Sequence, residues 1–318
     1  MKISEILHNA KDPFISFEII PPARGRSARE VYEIIDDLME FRPPFIDVTS
    51  HAADSYFVEE ANGSFTRHIK RKRPGTIGLC AALKYRYKLE AVPHLLCQGF
   101  NKQETEDALI ELNYLGIDNV LAIRGDQLQY QKAHATGREA NQHALDLVKQ
   151  ISNMNRGKYQ EDILDADESD FCIGVGGYPE KHPDSPSKAA DIRYLKQKVD
   201  AGAQYIITQM FFNNQDFYSF VEQCRAEGIT VPIIPGLKLV TRKSQLNSLP
   251  HAFAVDFPDD LVKAFDEAEN SNERAEIGIA HSIKQCEDLL NNGVENLHFY
   301  VMQDTGLLKQ VVKSLKLF

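Results

Sequence analysis

Apolar and polar positions alternate in blocks along the whole chain. Short, nearly continuous apolar runs are separated by longer segments with apolar residues at helical spacing, such as 27–41 (SAREVYEIIDDLMEF) and 103–116 (QETEDALIELNYLG). The strand-like runs are 14–20, 45–50, 89–97, 119–125, 171–179, 205–212, 231–237 and 296–302. Runs that are apolar on both faces and alternate with helices predict a parallel sheet covered on both sides.

Eight such units in 318 residues predict a (β/α)8 TIM-type barrel formed by one domain over 1–318. A doubly wound sheet would more often have only about five or six strands. The acidic, polar stretch at about 153–170 predicts a surface excursion before the fifth strand. The segment 76–87 (TIGLCAALKYRY) predicts an additional helix before the third strand.

Composition narrows the classes of function. Acidic residues outnumber basic ones by 46 to 36, and this formal net charge of -10 argues against binding to nucleic acid or an anionic membrane. No apolar stretch approaches the roughly 20 residues that span a bilayer, and the N-terminal segment lacks the apolar core of a signal peptide. We therefore expect a cytoplasmic protein with no membrane partner. The five cysteines form no CxxC pair, so we expect reduced, buried thiols and no metal site.

Polar residues at strand ends are the candidates for chemistry, because the active sites of such barrels lie there. They are Glu18, Thr49, Ser50, His94, Arg124, Asp126, Tyr178, Gln209 and Lys238. Glu18 lies inside an apolar run, where burial would raise its pKa as a general acid requires; an ion-paired structural carboxylate is the alternative interpretation. Gln209, beside aromatic residues, suits a flat heteroaromatic ligand, although plain barrel packing explains the aromatics equally well. The GxGxxG, GxxxxGK[ST] and GxSxG motifs do not occur.

Taken together, the strand ends resemble the methylenetetrahydrofolate reductase family. The motifs follow in order along the chain: SFEIIPP (16–22), IDVTSHA (46–52), AVPHLLC (91–97), NVLAIRGD (119–126), GVGGYPEKHPDS (174–185), KVDAGAQYIITQMFF (198–212), PIIPGL (232–237) and GVENLHFYVM (293–302). The resemblance implies a (β/α)8 barrel that binds FAD without a Rossmann domain. It also implies ping-pong reduction of 5,10-methylenetetrahydrofolate to 5-methyltetrahydrofolate, with NADH or NADPH as electron donor. The sequence leaves the choice of donor open.

The same resemblance assigns roles to residues. Glu18 matches the general acid and Asp126 the charge that stabilises the cationic iminium beside flavin and folate. Matching flavin contacts are Thr49, Ser50, Ala52, His94, Arg124, Gly125, Asp126, Ala144, Tyr178, His182, Asp191 and Lys198. Matching folate contacts are Glu18, Asp126, Gln209 and Gln245.

Some positions depart from the pattern of bacterial members. They are Lys238, where an apolar residue is common, Leu249, where some relatives carry an aromatic, and Gln303 and Asp304. The chain ends soon after the eighth strand unit, so no C-terminal regulatory domain is expected, and the resemblance implies a homo-oligomer.

Three alternatives remain open at this point. One is another FAD-dependent barrel oxidoreductase, similar to proline dehydrogenase. A second is a non-catalytic protein that binds folate or flavin as a regulator. The third is a flavin-free aldolase in which Lys238 forms a Schiff base.

Overall fold

Eight parallel strands close into a barrel, and they coincide with the eight predicted apolar runs. The computed structural model describes residues 1–51, 54–60, 64–70, 75–125, 139–301 and 305–317. Its strands are β1 (Phe14–Ile19), β2 (Phe45–Val48), β3 (Asp54–Glu59), β4 (Phe65–Lys70), β5 (Glu90–Leu96), β6 (Asn119–Ile123), β7 (Cys172–Gly177), β8 (Tyr205–Met210), β9 (Ile233–Leu237) and β10 (Asn296–Tyr300). Around the barrel the order is β1, β2, β5, β6, β7, β8, β9 and β10, and β10 pairs back with β1. The predicted (β/α)8 barrel is confirmed.

Apart from α1, which precedes β1, helices follow the barrel strands and cover the outside of the sheet. They are α1 (Ile3–Asn9), α2 (Arg29–Met39), α3 (Thr76–Arg86), α4 (Lys102–Tyr114), α5 (Ala144–Met154), α6 (Lys188–Asp200), α7 (Asn214–Ala226), α8 (Gln245–Phe253), α9 (Asp259–Glu267), α10 (Ser271–Asn291) and α11 (Gly306–Ser314). Their amphipathic spacing explains the packing: α2 buries Val31, Ile35 and Leu38, which lie on one face of a helix. The predicted extra helix before the third barrel strand is confirmed as α3.

The first helix closes the amino-terminal end of the barrel. Ile3 and Leu7 of α1 pack against the inward-facing side chains of that end, which include Phe45, Val92 and Tyr205. The backbone N–H of Ile3 donates to Asn119 Oδ1 at 2.8 Å. Because this end is sealed by apolar packing, the opposite, carboxyl end is where a ligand can enter.

A two-stranded antiparallel hairpin, β3 and β4, follows β2 and was not predicted. Its apolar side chains do not alternate with polar ones, because Tyr56, Phe57 and Val58 are consecutive, and they are not buried, since Phe57 and Phe65 are 57% and 66% exposed. Period-two patterning predicts a strand when one face is covered, and this hairpin has no such face among the described side chains.

Residues 155–170 contain no helix or strand and are mostly exposed, as the polar composition predicts. The two ends of the loop are nevertheless joined, because Asn155 Nδ2 donates to Phe171 O at 2.9 Å, and its middle is held to α4, because Gln160 N donates to Glu106 Oε2 at 2.7 Å. That this stretch is an insertion within one domain over 1–318 stays a prediction. Within the described ranges, no helix has the length and apolar character needed to cross a membrane.

Candidate active site

A carboxyl, an imidazole and a second carboxyl meet inside the carboxyl half of the barrel. Asp47 and His94 each lie two residues beyond an inward apolar side chain, Phe45 and Val92, so they share the inner face of the sheet. His94 Nε2 lies 3.5 Å from Glu18 Oε2 and 3.4 Å from Asp47 Oδ2. The exposed fraction of the side chain falls from 17% for Glu18 to 5% for His94 and 0% for Asp47. Glu18 therefore faces the mouth and Asp47 the interior.

Burial controls the charge of this cluster. It raises the pKa of the Asp47 carboxyl well above its usual range, since neither carboxyl oxygen has a hydrogen-bond partner among the described residues. Burial also lowers the pKa of His94, and the charge of Glu18 offsets only part of that effect. Burial thus favours the uncharged form of both the Asp47 carboxyl and the His94 imidazole. His298, a third buried titratable group, has its pKa lowered to about 3 by burial and by His94.

Lys238 and Tyr300 complete this side of the barrel mouth. Tyr300 pairs with Glu18 in the β1–β10 register, and its hydroxyl donates to Thr208 O at 2.5 Å. The ring crosses over Gly236, where a Cβ atom would lie 2.5 Å from the Tyr300 hydroxyl, so only glycine fits there. Lys238 Nζ donates to Tyr300 O at 3.2 Å, and burial lowers the Lys238 pKa to about 8, against the opposing effect of Glu18.

A second group of predicted residues lies at the ends of β6 and β7. Arg124 Nη2 donates to Asp184 Oδ2 at 2.5 Å, whereas the buried Nε of Arg124 has no acceptor among the described residues. Gly125 has φ +89°, a left-handed conformation that glycine adopts without strain. The rings of Tyr178 and His182 pack edge to face with centroids 4.6 Å apart.

The loop after β7 is held by α6. Asp191 accepts hydrogen bonds from His182 N and from Ser185 Oγ, each at 2.9 Å. Lys198 Nζ donates to Gly176 O at 3.0 Å, and burial lowers its pKa to about 8. A narrow cleft between strand and helix is lined by Gly176, Gly177, Tyr178, Asp191, Leu195, Lys198 and Phe220. In this structure, Asp191 and Lys198 bond to protein groups, so their predicted role with flavin stays a prediction.

The other predicted residues lie around the same mouth. Thr49 is buried just past β2, and its backbone N–H donates to Ile19 O at 3.0 Å; Ser50 beside it is half-buried. Ala144 is the half-buried first residue of α5. Gln209 is half-buried on β8, and its Oε1 accepts from the N–H of Met210 at 2.9 Å.

Gln245, a predicted folate contact, and Leu249, one of the departures from the bacterial pattern, both lie on α8. Gln245 Oε1 accepts from Thr241 N and Arg242 N, both at 2.9 Å, so it holds the loop after β9. Leu249 is buried in a small apolar cluster with Met210 and Phe265, among others. The predicted residues Ala52, Asp126, Gln303 and Asp304 lie outside the described residues.

The sequence reasoning did not single out Asp47 or Tyr300. A signal for Asp47 was present, because a carboxylate two residues after Phe45 in an apolar strand faces the same side as that core residue. Tyr300 carries no comparable signal, since an aromatic residue at a strand end is typical of core packing.

The barrel is closed at one end by apolar side chains, and carboxyls, imidazoles and lysines gather at the other end. These features define the class of parallel barrels that carry their active site at the carboxyl ends of the strands. The sequence model of the methylenetetrahydrofolate reductase family matches residues 2–316. The chain belongs to this family, which confirms the resemblance.

Individual relatives agree with this assignment. The chain is 29% identical to the probable methylenetetrahydrofolate reductase (NADPH) of Caenorhabditis elegans, over 99% of this chain and 44% of that protein. It is 30% identical to methylenetetrahydrofolate reductase (NADH) 1 of Arabidopsis thaliana, over 95% of this chain and 48% of the relative. The 5,10-methylenetetrahydrofolate reductase of Pectobacterium carotovorum subsp. carotovorum is 29% identical, with 95% of this chain and 89% of the relative covered. The chain spans about half the length of the first two relatives.

A solved structure shows the same fold at low sequence identity. An uncharacterized protein from Clostridium thermocellum, which binds two copies of 5-methyl-5,6,7,8-tetrahydrofolic acid, superposes with a TM-score of 0.59. The identity is 14%, and the alignment covers 98% of this chain and 96% of the other. This likeness supports the barrel architecture alone.

Proposed function

We propose that this protein reduces 5,10-methylenetetrahydrofolate to 5-methyltetrahydrofolate, with NAD(P)H as donor and FAD as carrier. Family membership over 2–316 supports the substrate, and the position of Glu18 at the barrel mouth is the observation that carries the mechanism. A bound flavin supplies two-electron hydride transfer between the nicotinamide and the folate.

Glu18 acts as the general acid in this proposal. It donates its proton to the ring nitrogen that leaves, the C–N bond of the five-membered ring opens, and the methylene carbon becomes a cationic iminium that accepts the hydride. Glu18 is only 17% exposed, so water competes poorly for its proton. Asp126 supplies the negative charge that stabilises the cation, and Gln209 reads the edge of the bound ring.

The β6–β7 side of the mouth fits a flavin with a diphosphate. Arg124 Nε is a buried donor without an acceptor among the described residues, and a Cβ atom at Gly176 would meet nothing within 4 Å. Lys198 and His182 add further donors beside the same cleft. We infer that Arg124, His182 and Lys198 hold the phosphates and that Tyr178 packs against the ligand, together with the other predicted flavin contacts.

One site for both substrates implies alternation. The nicotinamide donor binds, is oxidised and leaves before folate enters, which gives ping-pong kinetics. The donor is either NADH or NADPH. We also propose that the protein acts in the cytoplasm. We further propose that it forms a homo-oligomer, and light scattering on the purified chain tests this oligomeric state directly.

The first experiment follows the two half-reactions in one cuvette. Purified protein is expected to show a flavin absorption spectrum that bleaches on anaerobic addition of NADH or NADPH and recovers with methylenetetrahydrofolate. Bleaching without recovery, but with recovery by another acceptor, would identify a different flavin barrel such as a proline-dehydrogenase-like enzyme. A protein that binds folate but cannot be bleached would be a regulator.

A variant separates the roles of the acid and of the cofactor site. Glu18→Gln is expected to keep its flavin and its bleaching by NAD(P)H but to lose recovery with folate. Glu30→Gln, on the exposed surface of α2 with its side chain 54% exposed, is the matched control and is expected to behave as wild type. Loss of flavin by Glu18→Gln would contradict its assignment as the acid.

The aldolase alternative has one favourable observation, the Lys238 amine with its pKa lowered to about 8. It predicts that borohydride with a carbonyl substrate attaches that substrate covalently to Lys238. We expect no such adduct, because the chain belongs to a family of reductases.

A further inference from the structure

Asp47 is a fully buried carboxyl in the barrel interior, and the proposed reaction gives it no role. Among the described residues, neither a lysine nor an arginine lies within ion-pair distance of it. Buried polar groups nearly always have a partner, and an unpaired buried carboxylate is strongly unfavourable. The structure places His94 Nε2 at 3.4 Å from Asp47 Oδ2.

His94 Nε2 is likewise buried and without a hydrogen bond in the described structure. A neutral imidazole nitrogen is either a donor or an acceptor. Full burial with no lysine or arginine nearby favours the uncharged carboxylic acid at Asp47, which can donate through its O–H, and the state of Nε2 compatible with such a donor 3.4 Å away is the acceptor. The imidazole proton then lies on Nδ1.

The state of Nε2 matters for Glu18, whose Oε2 lies 3.5 Å from the same nitrogen. With its single lone pair engaged by the Asp47 O–H, Nε2 carries no hydrogen, so the ionised form of Glu18 gains no hydrogen bond from His94. As a donor, it would stabilise the ionised form instead. The proton on Asp47 therefore decides, through His94, which form of Glu18 the barrel favours.

We propose that Asp47 is a positioning residue that holds His94 in the Nδ1–H tautomer and thereby keeps Glu18 protonated and ready to donate. This inference rests on the proposed function of Glu18 as a general acid. No proton passes from Asp47 to the substrate, since the role of Asp47 is to occupy the Nε2 lone pair between turnovers.

Other titratable groups face this cluster and belong to the same equilibrium. Burial and, to a smaller extent, the charge of Asp47 raise the pKa of Tyr205 of β8, Cys80 of α3 and Tyr300 of β10. His298 faces His94, and Lys238 faces Glu18. Lys238 is the group of this set that carries a positive charge near neutral pH, and it lies on the mouth side of His94. The interior side therefore supplies no charge that would hold Asp47 ionised.

Two substitutions distinguish an uncharged from an ionised Asp47. Asp47→Asn keeps the size and a neutral N–H donor, so it is expected to preserve the His94 tautomer. Asp47→Leu removes the donor and frees Nε2 to carry a proton, which favours ionised Glu18. A hydrogen bond to a charged group shifts the pKa of that group by roughly one unit. The pH midpoint of folate reduction by Asp47→Leu should therefore lie about one unit lower than in wild type. On the alkaline side this makes the rate of folate reduction about tenfold slower.

The test combines the spectrum of His94 with the pH profile. ¹⁵N NMR of histidine-labelled holoenzyme, with His94 assigned by its absence in His94→Gln, is expected to show an unprotonated Nε2 in wild type and in Asp47→Asn. Asp47→Leu is expected to gain a proton at Nε2 and to move the pH midpoint of flavin reoxidation by folate. Glu30→Gln is the matched control: it makes the same change from carboxyl to amide on the surface of α2, where the Glu30 side chain is 54% exposed and pairs with Arg26, and it should change neither His94 nor the midpoint.

Three results would overturn the proposal. They are a proton on Nε2 in wild type, a midpoint moved as far by Asp47→Asn as by Asp47→Leu, and slower folate reduction in Asp47→Leu at an unchanged midpoint. The wild-type spectrum alone decides the tautomer if Asp47→Leu does not fold. The NMR result on the His94 tautomer does not depend on catalysis. A protein that reduced no folate would therefore refute the proposed function and leave the tautomer assignment unchanged.

Discussion

Lys238→Met is expected to make the protein more stable at neutral pH. The Lys238 side chain is 9% exposed, and its one hydrogen bond given by the structure is to Tyr300 O. Burial lowers its pKa from 10.5 to about 8, which corresponds to at most about 3 kcal/mol in favour of the neutral amine. At pH 7 the folded protein keeps a charged ammonium in a poorly solvated place, and methionine fills similar volume without that charge.

The pH dependence identifies the cause. Between about pH 8 and 10.5 the unfolded chain holds the Lys238 proton while the folded chain has released it, so the free energy of unfolding of wild type rises across this window. Methionine has no proton to release. The advantage of Lys238→Met over wild type should therefore be largest at pH 7, at most about 3 kcal/mol, and shrink towards pH 10.

Urea unfolding followed by circular dichroism at pH 7 and pH 10 measures both values. Lys243→Met is the control from the same loop, because its side chain is 56% exposed and should show no pH-dependent difference from wild type. Comparing each variant with wild type at one pH cancels Lys198, which titrates in the same range. A Lys238→Met protein that is less stable than wild type at pH 7, or whose difference is equal at both pH values, would refute the reasoning.

Three further outcomes are expected. Tyr300→Phe leaves the carbonyl of Thr208 without its 2.5 Å hydroxyl donor and should lower the free energy of unfolding by about 1–2 kcal/mol; an unchanged urea midpoint would contradict the contact. Arg124→Leu removes a buried donor and the partner of Asp184, so FAD should dissociate at least about tenfold more readily in equilibrium dialysis, and undiminished retention would remove Arg124 from the flavin site. Asn101→Ala deletes the N-cap of α4 and should lower stability by about 1 kcal/mol while leaving the rate of folate reduction as in wild type; a changed rate would show that α4 affects the site.

The barrel could be predicted from the chain because each local signal agrees with the fold. All eight apolar runs are barrel strands, and the glycines after α4, α7 and α10 adopt positive φ as C-terminal signals require. The hairpin of β3 and β4 could not be predicted in the same way, since its exposed apolar residues match neither a buried strand nor a helix. The sealing role of α1 was also missed, because a seven-residue helix carries too few periods to stand out.

The site was predictable at the level of which strand ends matter, and less so at the level of contacts. Glu18 and His94 were singled out separately, yet the sequence gives no way to see that His94 Nε2 lies between two carboxyls. Asp191 illustrates the same limit. Its position on α6 is readable from the spacing, whereas its bonds to His182 N and Ser185 Oγ depend on how the loop after β7 folds back.

The interior of the barrel divides into an apolar half and a polar half, and this division links stability to function. The half sealed by α1 buries Phe45, Val92 and other apolar residues, which gives the favourable burial that a polar half cannot supply. Towards the mouth, the inner face carries Asp47 and His94 at the positions that follow those two side chains. An apolar pair there would pack without orphaned polar atoms and would give a more stable barrel. The chain nevertheless keeps a buried acid beside a buried imidazole, and burial favours the uncharged form of both. Their position next to Glu18 is understandable if the protonation state of Glu18 is what the pair controls.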